Sequence, residues 1–155
     1  MGLLSFFKGV GEKIFHNDQV TPEPAQAEKV EPVRAQALLD HVKQLGLAYN
    51  SLTVKTKGDT VTITGSVKSQ EDSEKIALAV GNVEGVTAVD NQLAVDQPTP
   101  EGKYYTVKSG DSLSKIAKEV YGDAMKYGVI FEANKPMLKD PDLIYPDQVL
   151  RIPQL

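Results

Sequence analysis

The chain has 155 residues, with 17 Lys and Arg against 21 Asp and Glu and a formal charge of -4 at pH 7. This length allows one medium domain or two small ones and excludes a large enzyme fold. A pI near 5.2 argues against a nucleic-acid-binding protein, because the phosphate backbone requires a clustered excess of Lys and Arg. The absence of Cys excludes disulfides, thiolate zinc sites and cysteine nucleophiles, and it favours a reducing compartment, so we expect a cytoplasmic protein.

The N-terminal segment carries apolar residues at helical spacing, namely Leu3, Phe7, Val10 and Ile14. A helix with this spacing presents one apolar stripe. Residues 1–17 are therefore predicted to form a short amphipathic helix, which Gly9 and Gly11 weaken. The apolar run at residues 3–7 is too short for a signal-peptide core or a membrane span, which agrees with a cytoplasmic location.

Two polar segments divide the rest of the chain. Residues 18–31 are rich in Pro, Glu, Gln and Ala, and residues 97–103 include two further prolines. Such compositions are typical of linkers, because they cannot build a core. They separate two compact units, residues 32–96 and residues 104–155, each near the lower size limit for independent folding.

The first compact unit shows alternating helix and strand patterns. A helix is predicted to begin after Pro32 and to end at Gly46, and two alternating strands joined by a tight turn follow it. A second helix is predicted from an N-cap at Ser69 to Gly81, and a last strand completes the unit. The order α-β-β-α-β predicts an α+β fold in which two helices cover one face of a three-stranded sheet.

The apolar and glycine positions of this unit match a known pattern. Its second strand reads Val61-x-Ile63-x-Gly65-x-Val67, and its second helix leads into Val80-x-x-Val83-x-Gly85-Val86-x-x-Val89-x-Asn91-x-Leu93. This pattern resembles the BON domain, which is found in bacterial osmotic-stress and outer-membrane-associated proteins. The resemblance covers nearly all of residues 30–95.

The second compact unit matches another family in four sequence blocks. These are Tyr105-Thr106-Val107-Lys108-Ser109-Gly110-Asp111-Ser112-Leu113-x-x-Ile116-Ala117, Tyr121-Gly122, Ile130-x-x-Ala133-Asn134 and Ile144-Tyr145-Pro146-x-Gln148-Val149-Leu150-x-Ile152-Pro153. The blocks resemble a LysM domain and imply a β-α-α-β order, with Asp111 as a helix N-cap and Gly122 as a helix terminator. Asp147 stands where that family usually has Gly, and a turn with positive φ accepts Asp at modest cost.

The sequence does not support catalysis. His16 and His41 have neither Cys partners nor a second histidine at the i,i+4 spacing of a metal pair. No phosphate-binding loop, nucleophile elbow or H-E-x-x-H pattern occurs. The acidic cluster at residues 71–74 lies in the first turn of a predicted helix, where it favours the helix dipole. We therefore expect no enzyme.

The whole chain resembles small bacterial proteins that combine a BON domain with a C-terminal LysM domain. That resemblance implies cytoplasmic K+ binding with a conformational response, linked to osmotic stress, with Rb+ and Cs+ as possible substitutes. The sequence has no long exposed coiled-coil stripe, which predicts a monomer. K+ is held by several neutral oxygens, typically main-chain carbonyls, that replace its hydration shell. Carbonyls without partners are concentrated at helix C-termini, where the dipole is negative.

Two glycine-containing helix ends, residues 9–11 and residues 81–86, therefore become the expected site. Given the resemblance, we expect K+ between the main-chain oxygens of six residues: Phe7, Val10, Glu12, Gly81, Val83 and Val86. Ion binding would then dock the N-terminal helix on the BON domain, with the LysM domain over the same surface, and compact the protein.

Two alternatives remain open. LysM domains elsewhere bind N-acetylglucosamine polymers, and the matching peptidoglycan site here would include Gly110, Asp111, Asn134 and Leu138. This reading requires export and is disfavoured without a signal peptide. Membrane association through Leu3, Phe6, Phe7 and Ile14 is weakened by the few basic residues beside them.

Overall fold

A computed structural model describes residues 2–6, 27–99 and 103–153 of the protein. The first unit contains four strands and two helices: β1 (Gly2–Ser5), α1 (Ala27–Leu45), β2 (Ser51–Lys57), β3 (Thr60–Ser69), α2 (Gln70–Gly81) and β4 (Ala88–Gln97). The second unit contains β5 (Lys103–Thr106), α3 (Leu113–Tyr121), a 3-10 turn (Ala124–Lys126), α4 (Tyr127–Ala133) and β6 (Val149–Ile152). The α+β fold is confirmed, and from α1 onwards the elements follow the predicted order.

The BON sheet has four strands in the order β1-β4-β3-β2. Strands β2 and β3 form the predicted hairpin, whose turn contains Gly58 at a φ of 64°. Helix α2 then crosses over the sheet, so that β4 runs parallel to β3. The expectation of three strands is therefore corrected to four, because β1 adds antiparallel to the outer edge of β4.

Strand β1 also corrects the predicted N-terminal helix over residues 2–5. Gly2, Leu3, Leu4 and Ser5 pair with residues 88–91 of β4, so their backbone is extended. The physical reason is non-local: without β1, the edge of β4 would present a row of unpaired backbone groups. Helical spacing cannot reveal such an edge. Residues 7–17 of the predicted helix lie outside the described residues.

Helix α1 begins earlier than expected. It starts at Ala27 and contains Pro32, which the sequence pattern had placed just before the helix. Pro32 is the sixth residue of the helix, beyond the four whose N–H groups have no intrahelical partner, so it removes one hydrogen bond, the one to the carbonyl of residue 28. The predicted linker is therefore helical over residues 27–31, while residues 18–26 lie outside the described residues.

The BON core lies between the two helices and the inner face of the sheet. Helix α2 has eight buried residues, more than any other element within the described residues. The two helices contribute Leu38, Val42, Ile76 and Val80, and the strands contribute Val54, Val61, Ile63, Val67, Val89 and Leu93. Val149 of the LysM strand β6 belongs to the same cluster, so the two domains share buried contacts.

The LysM unit shows the implied β-α-α-β order, with β5 and β6 antiparallel. Ser112, not Asp111, is the N-cap of α3, and its hydroxyl accepts a hydrogen bond from the Lys115 N–H. Gly122 ends α3 in the left-handed conformation at a φ of 77°. Asp147 adopts a φ of 70°, so the prediction of a positive-φ turn at this position is confirmed.

Candidate functional site

The C-terminus of α2 carries main-chain oxygens that accept no backbone hydrogen bond from another described residue. The backbone N–H of Asn82 caps the helix by donating to the Leu78 carbonyl at 2.9 Å. Among the described residues, no backbone N–H donates to the carbonyls of Ala79, Val80 or Gly81. These oxygens carry the negative end of the helix dipole, which is a suitable environment for a cation.

The α2–β4 loop, residues 82–87, contains a tight turn whose valine side chains are buried. The Val86 N–H donates to the Val83 carbonyl at 3.1 Å, and Gly85 has a φ of 100°. Positive φ at the third residue of a four-residue turn is the mark of a type II turn and favours Gly. The side chains of Val83 and Val86 are fully buried. The turn thus fixes its backbone oxygens through apolar packing on both sides.

The chain leaving β1 enters the fold at this loop. The backbone N–H of Phe6 donates to the Thr87 carbonyl at 2.7 Å, and the Phe6 ring is 7% exposed. A Cβ at residue 81 would overlap that ring, so only Gly81 leaves room for it. Phe6 therefore fixes the start of the N-terminal segment directly against the end of α2.

Three of the six predicted K+ ligands lie together on this loop. Gly81 ends α2, and Val83 and Val86 form the first and last positions of the turn. Phe7, Val10 and Glu12 lie outside the described residues. Residue 7 directly follows Phe6 in the chain, so the segment that contains the other predicted ligands starts at this loop.

Asn82 connects the loop to the LysM domain. Its side-chain Nδ2 donates to the Val149 carbonyl at 2.8 Å, and its Oδ1 accepts from the Val149 N–H at 2.9 Å. The amide thereby pairs with the outer edge of β6 as a neighbouring strand would. Nδ2 also lies 3.5 Å from the Met137 sulfur. Asn82 is 5% exposed, so both bonds are shielded from water.

A second contact between the two domains is a buried ion pair that joins α2 to β6. Arg151 Nε of β6 lies 2.7 Å from Glu74 Oε1. The second carboxylate oxygen of Glu74 accepts from Gln70 Nε2 at 3.1 Å. Both charged side chains are largely withdrawn from water, with 2% exposure for Glu74 and 13% for Arg151. The pair fixes the direction in which β6 lies on α2.

The predicted glycan residues divide into two kinds. Asn134 and Leu138 are buried, and the Asn134 amide pairs with the Arg151 N–H and C=O at 2.7 and 2.9 Å. Their positions therefore have structural roles in the LysM unit. Gly110 is exposed, and Asp111 is partly exposed.

Asp111 organises the loop after β5. Its carboxylate accepts from the Lys108 N–H at 2.9 Å and from the Tyr105 hydroxyl at 2.8 Å. The bond from the Lys108 N–H is the main cause that holds the Asp111 pKa below its ordinary value. Burial, together with the neighbouring Asp111 carboxylate, raises the pKa of Tyr105. Both bonds go to the same carboxylate oxygen, Oδ2, and support the loop.

Within the part of the chain that the structure describes, no group of three or more His, Cys, Asp or Glu side chains is placed to bind a metal ion. The same residues contain no helix with the length and apolar character needed to cross a membrane. Phe6, a residue of the membrane alternative, packs into the BON core. A monovalent ion bound by main-chain oxygens needs none of these features.

Sequence reasoning missed Phe6 and Asn82 as parts of this site. Phe6 lies off the helical stripe that the N-terminal spacing suggested. Asn82 follows Gly81 at a helix end, where Asn is a known capping residue. That signal could have marked the position, but the partner strand of its amide lies 67 residues away in the sequence.

Comparison with known proteins agrees with this architecture. The BON domain family model matches residues 32–97, and the LysM domain family model matches residues 105–153. The chain is therefore a BON–LysM two-domain protein, and neither matched family is an enzyme family.

Two relatives extend the comparison beyond single domains. The chain is 44% identical, over 99% of both sequences, to the potassium binding protein Kbp of Escherichia coli O6:H1. It is also 39% identical over 131 residues to an uncharacterized protein of Deinococcus radiodurans, covering 77% of this chain and 51% of that protein. The chain belongs to the family of the potassium binding protein Kbp, which confirms the predicted resemblance.

Proposed function

We propose that this protein binds K+ through main-chain carbonyl oxygens between the α2–β4 loop and the N-terminal segment that follows Phe6. The observation that carries the proposal is the packing of Phe6 on Gly81, at the end of α2, where main-chain carbonyls lack backbone donors among the described residues. Its relation to a potassium binding protein over nearly the whole chain supports the same ligand. Gly81, Val83 and Val86 supply one half of the site, and Phe7, Val10 and Glu12 supply the other.

Neutral oxygens suit this ion. K+ gives up its hydration shell when several carbonyl dipoles replace the water oxygens, and no full negative charge is needed. The dipole of α2 adds a partial negative charge at its C-terminus. The buried side chains of Val83 and Val86 keep water away from the turn. Cage size and oxygen number then favour K+, with Rb+ and Cs+ as the nearest substitutes.

Binding would stabilise and compact the protein. An ion that binds only the assembled site stabilises it by about 2.7 kcal/mol at a hundredfold excess over Kd. Because the two halves of the site lie far apart in the sequence, that free energy orders the N-terminal segment against the BON domain. We propose that the protein acts as a cytoplasmic, monomeric, non-enzymatic sensor or buffer of K+. Small-angle scattering should show a smaller radius of gyration in saturating K+, without a change in mass.

Isothermal titration of the K+-free protein with KCl, and with NaCl at matched ionic strength, tests the proposal. We expect saturable heat with KCl alone; matched ionic strength removes the effect of screening. Gly81→Ala should weaken K+ binding at least tenfold, because the new Cβ displaces the Phe6 ring. Gly128→Ala is the matched control, since a Cβ there meets nothing within 4 Å.

Absence of saturable heat with either salt would refute the proposal, as would unchanged K+ binding by Gly81→Ala. A pull-down on purified peptidoglycan then addresses the glycan alternative. Retention of the wild-type chain, abolished by Asp111→Ala, would assign binding to the exposed loop of the LysM domain.

A further inference from the structure

Asn82 occupies a special place in the α2–β4 loop. It lies between Gly81 and Val83, two of the proposed oxygen donors, yet its own side chain points away from the BON domain to β6. The two bonds to the Val149 N–H and C=O use one donor and one acceptor of a single amide. The position of the loop backbone is therefore tied directly to the position of β6.

This connection is short and stiff. An asparagine side chain has only two rotatable bonds, and Asn82 is 5% exposed. A displacement of β6 must either carry the loop backbone with it or break both bonds. Breaking them leaves a buried donor and acceptor without partners, which is costly in a low-dielectric interface.

We propose that Asn82 is the positioning residue through which docking of the LysM domain sets the K+ affinity of the α2–β4 loop. The inference rests on the proposed function, since it concerns the same ion site. Docked β6 holds residue 82, and thereby the flanking carbonyls of Gly81 and Val83, in the arrangement that binds the ion. Coupling between two binding events is reciprocal, so K+ strengthens docking by the same factor.

The ion pair between Glu74 and Arg151 provides a second way to weaken docking, which leaves Asn82 unchanged. It joins the same helix and strand at 2.7 Å, but Glu74 lies about two helical turns before the loop. Glu74→Gln keeps the side-chain shape and removes the charge, so it weakens docking without touching residues 81–86. Glu132→Gln is the matched control, because Glu132 pairs with Lys135 on the exposed surface of the LysM unit.

The test is a double-mutant cycle in the full chain, with KCl titrations of wild type, Glu74→Gln, Asn82→Ala and the double variant. The amide resonance of Val149 reports docking in wild type and Glu74→Gln, since its N–H bonds to Asn82. In the variants that lack Asn82, the ring resonances of Tyr104, which packs against the BON core, report docking. We expect Glu74→Gln and Asn82→Ala each to weaken K+ binding roughly tenfold, within the usual range of allosteric coupling. Glu132→Gln should bind as wild type does.

The decisive readout is the double variant. If Asn82 transmits docking to the loop, Glu74→Gln has no further effect on K+ affinity once Asn82 is replaced. An equal weakening by Glu74→Gln in the presence and absence of the Asn82 amide would overturn the proposal, as would unchanged K+ affinity in Asn82→Ala. Asn82→Ser, which keeps a polar but shorter side chain, is measured in the same way if the alanine variant fails to fold.

Failure of the proposed function gives a different result. In that case wild type shows no saturable K+ heat, while the Val149 resonance still responds to Glu74→Gln. Failure of the present proposal alone leaves K+ binding by the wild type intact and abolishes only its dependence on docking.

Discussion

Two helices of this protein end on an asparagine that binds the same strand. Asn82 caps α2 and pairs with Val149, and Asn134 caps α4 and pairs with Arg151. Both amides satisfy the outer edge of β6, which would otherwise be open. They differ in origin, because Asn134 belongs to the LysM unit itself, whereas Asn82 comes from the BON domain.

The same chemistry therefore has two consequences. The Asn134 pair closes the LysM core and is present whenever that domain is folded. The Asn82 pair exists only while the two domains are docked, and water can replace it when they separate. One asparagine is a permanent part of a fold, and the other is the contact that we propose K+ regulates.

The largest expected change in the free energy of unfolding comes from replacing Asn134, the asparagine within the LysM unit. Asn134→Ala removes the bonds to the Arg151 N–H and C=O and to the Ile130 carbonyl. Leaving these buried groups without partners should lower the free energy of unfolding of the LysM unit by about 3 kcal/mol. Urea unfolding measures the loss, which should be the same with and without K+.

Replacing Asn82, the asparagine between the two domains, should change the free energy of unfolding less. Asn82→Ala should lower the free energy of unfolding by about 1 kcal/mol in K+-free protein, since water reaches the Val149 groups once the domains separate. In saturating K+ the loss should grow, because the variant also forfeits part of the ion's stabilisation. Equal losses for Asn82→Ala and Asn134→Ala, independent of K+, would abolish the distinction between the two asparagines.

A third test concerns the turn that leads into β6. Asp147 holds a φ of 70°, a conformation that Gly adopts without the steric penalty of a side chain. Asp147→Gly should raise the free energy of unfolding by about 0.5 kcal/mol, and Asp147→Ala should lower it by a similar amount. Thermal unfolding in K+-free buffer measures both, and neither should alter K+ affinity.

The smallest effect is a pH dependence within the LysM unit. The Asp111 pKa lies below its ordinary value, chiefly because of the hydrogen bond from the Lys108 N–H. The ionised carboxylate therefore stabilises the fold above the unfolded pKa of about 4, and this contribution is lost as the pH falls through the lowered folded pKa. Asp111→Asn should show a flatter pH profile between about pH 5 and pH 2 in chemical unfolding. A profile as steep as that of the wild type would exclude this cause.

Local patterns predicted much of the fold. The cap at Ser69 and the terminators at Gly46 and Gly122 are set by short-range backbone chemistry, so their positions follow from the sequence alone. The hairpin turn at Gly58 and the positive φ at Asp147 follow for the same reason.

The features that the sequence did not predict depend on partners distant in the chain. Strand β1 forms because β4 has an edge that it can pair with. The helical spacing of the apolar residues in the N-terminal segment predicted a helix instead. Phe6 fits because Gly81 leaves space, and the Asn82 amide is satisfied by a strand of the other domain. Three of the proposed ligands lie outside the described residues, so the carbonyl site itself stays a prediction.

Carbonyl carbon NMR shifts during a KCl titration test the central proposal most directly. We expect saturable shifts at Gly81, Val83 and Val86, all with one Kd, and none with NaCl at the same ionic strength, because only bound K+ polarises these oxygens. Saturable K+ binding with unchanged carbonyl shifts at these three residues would contradict the account.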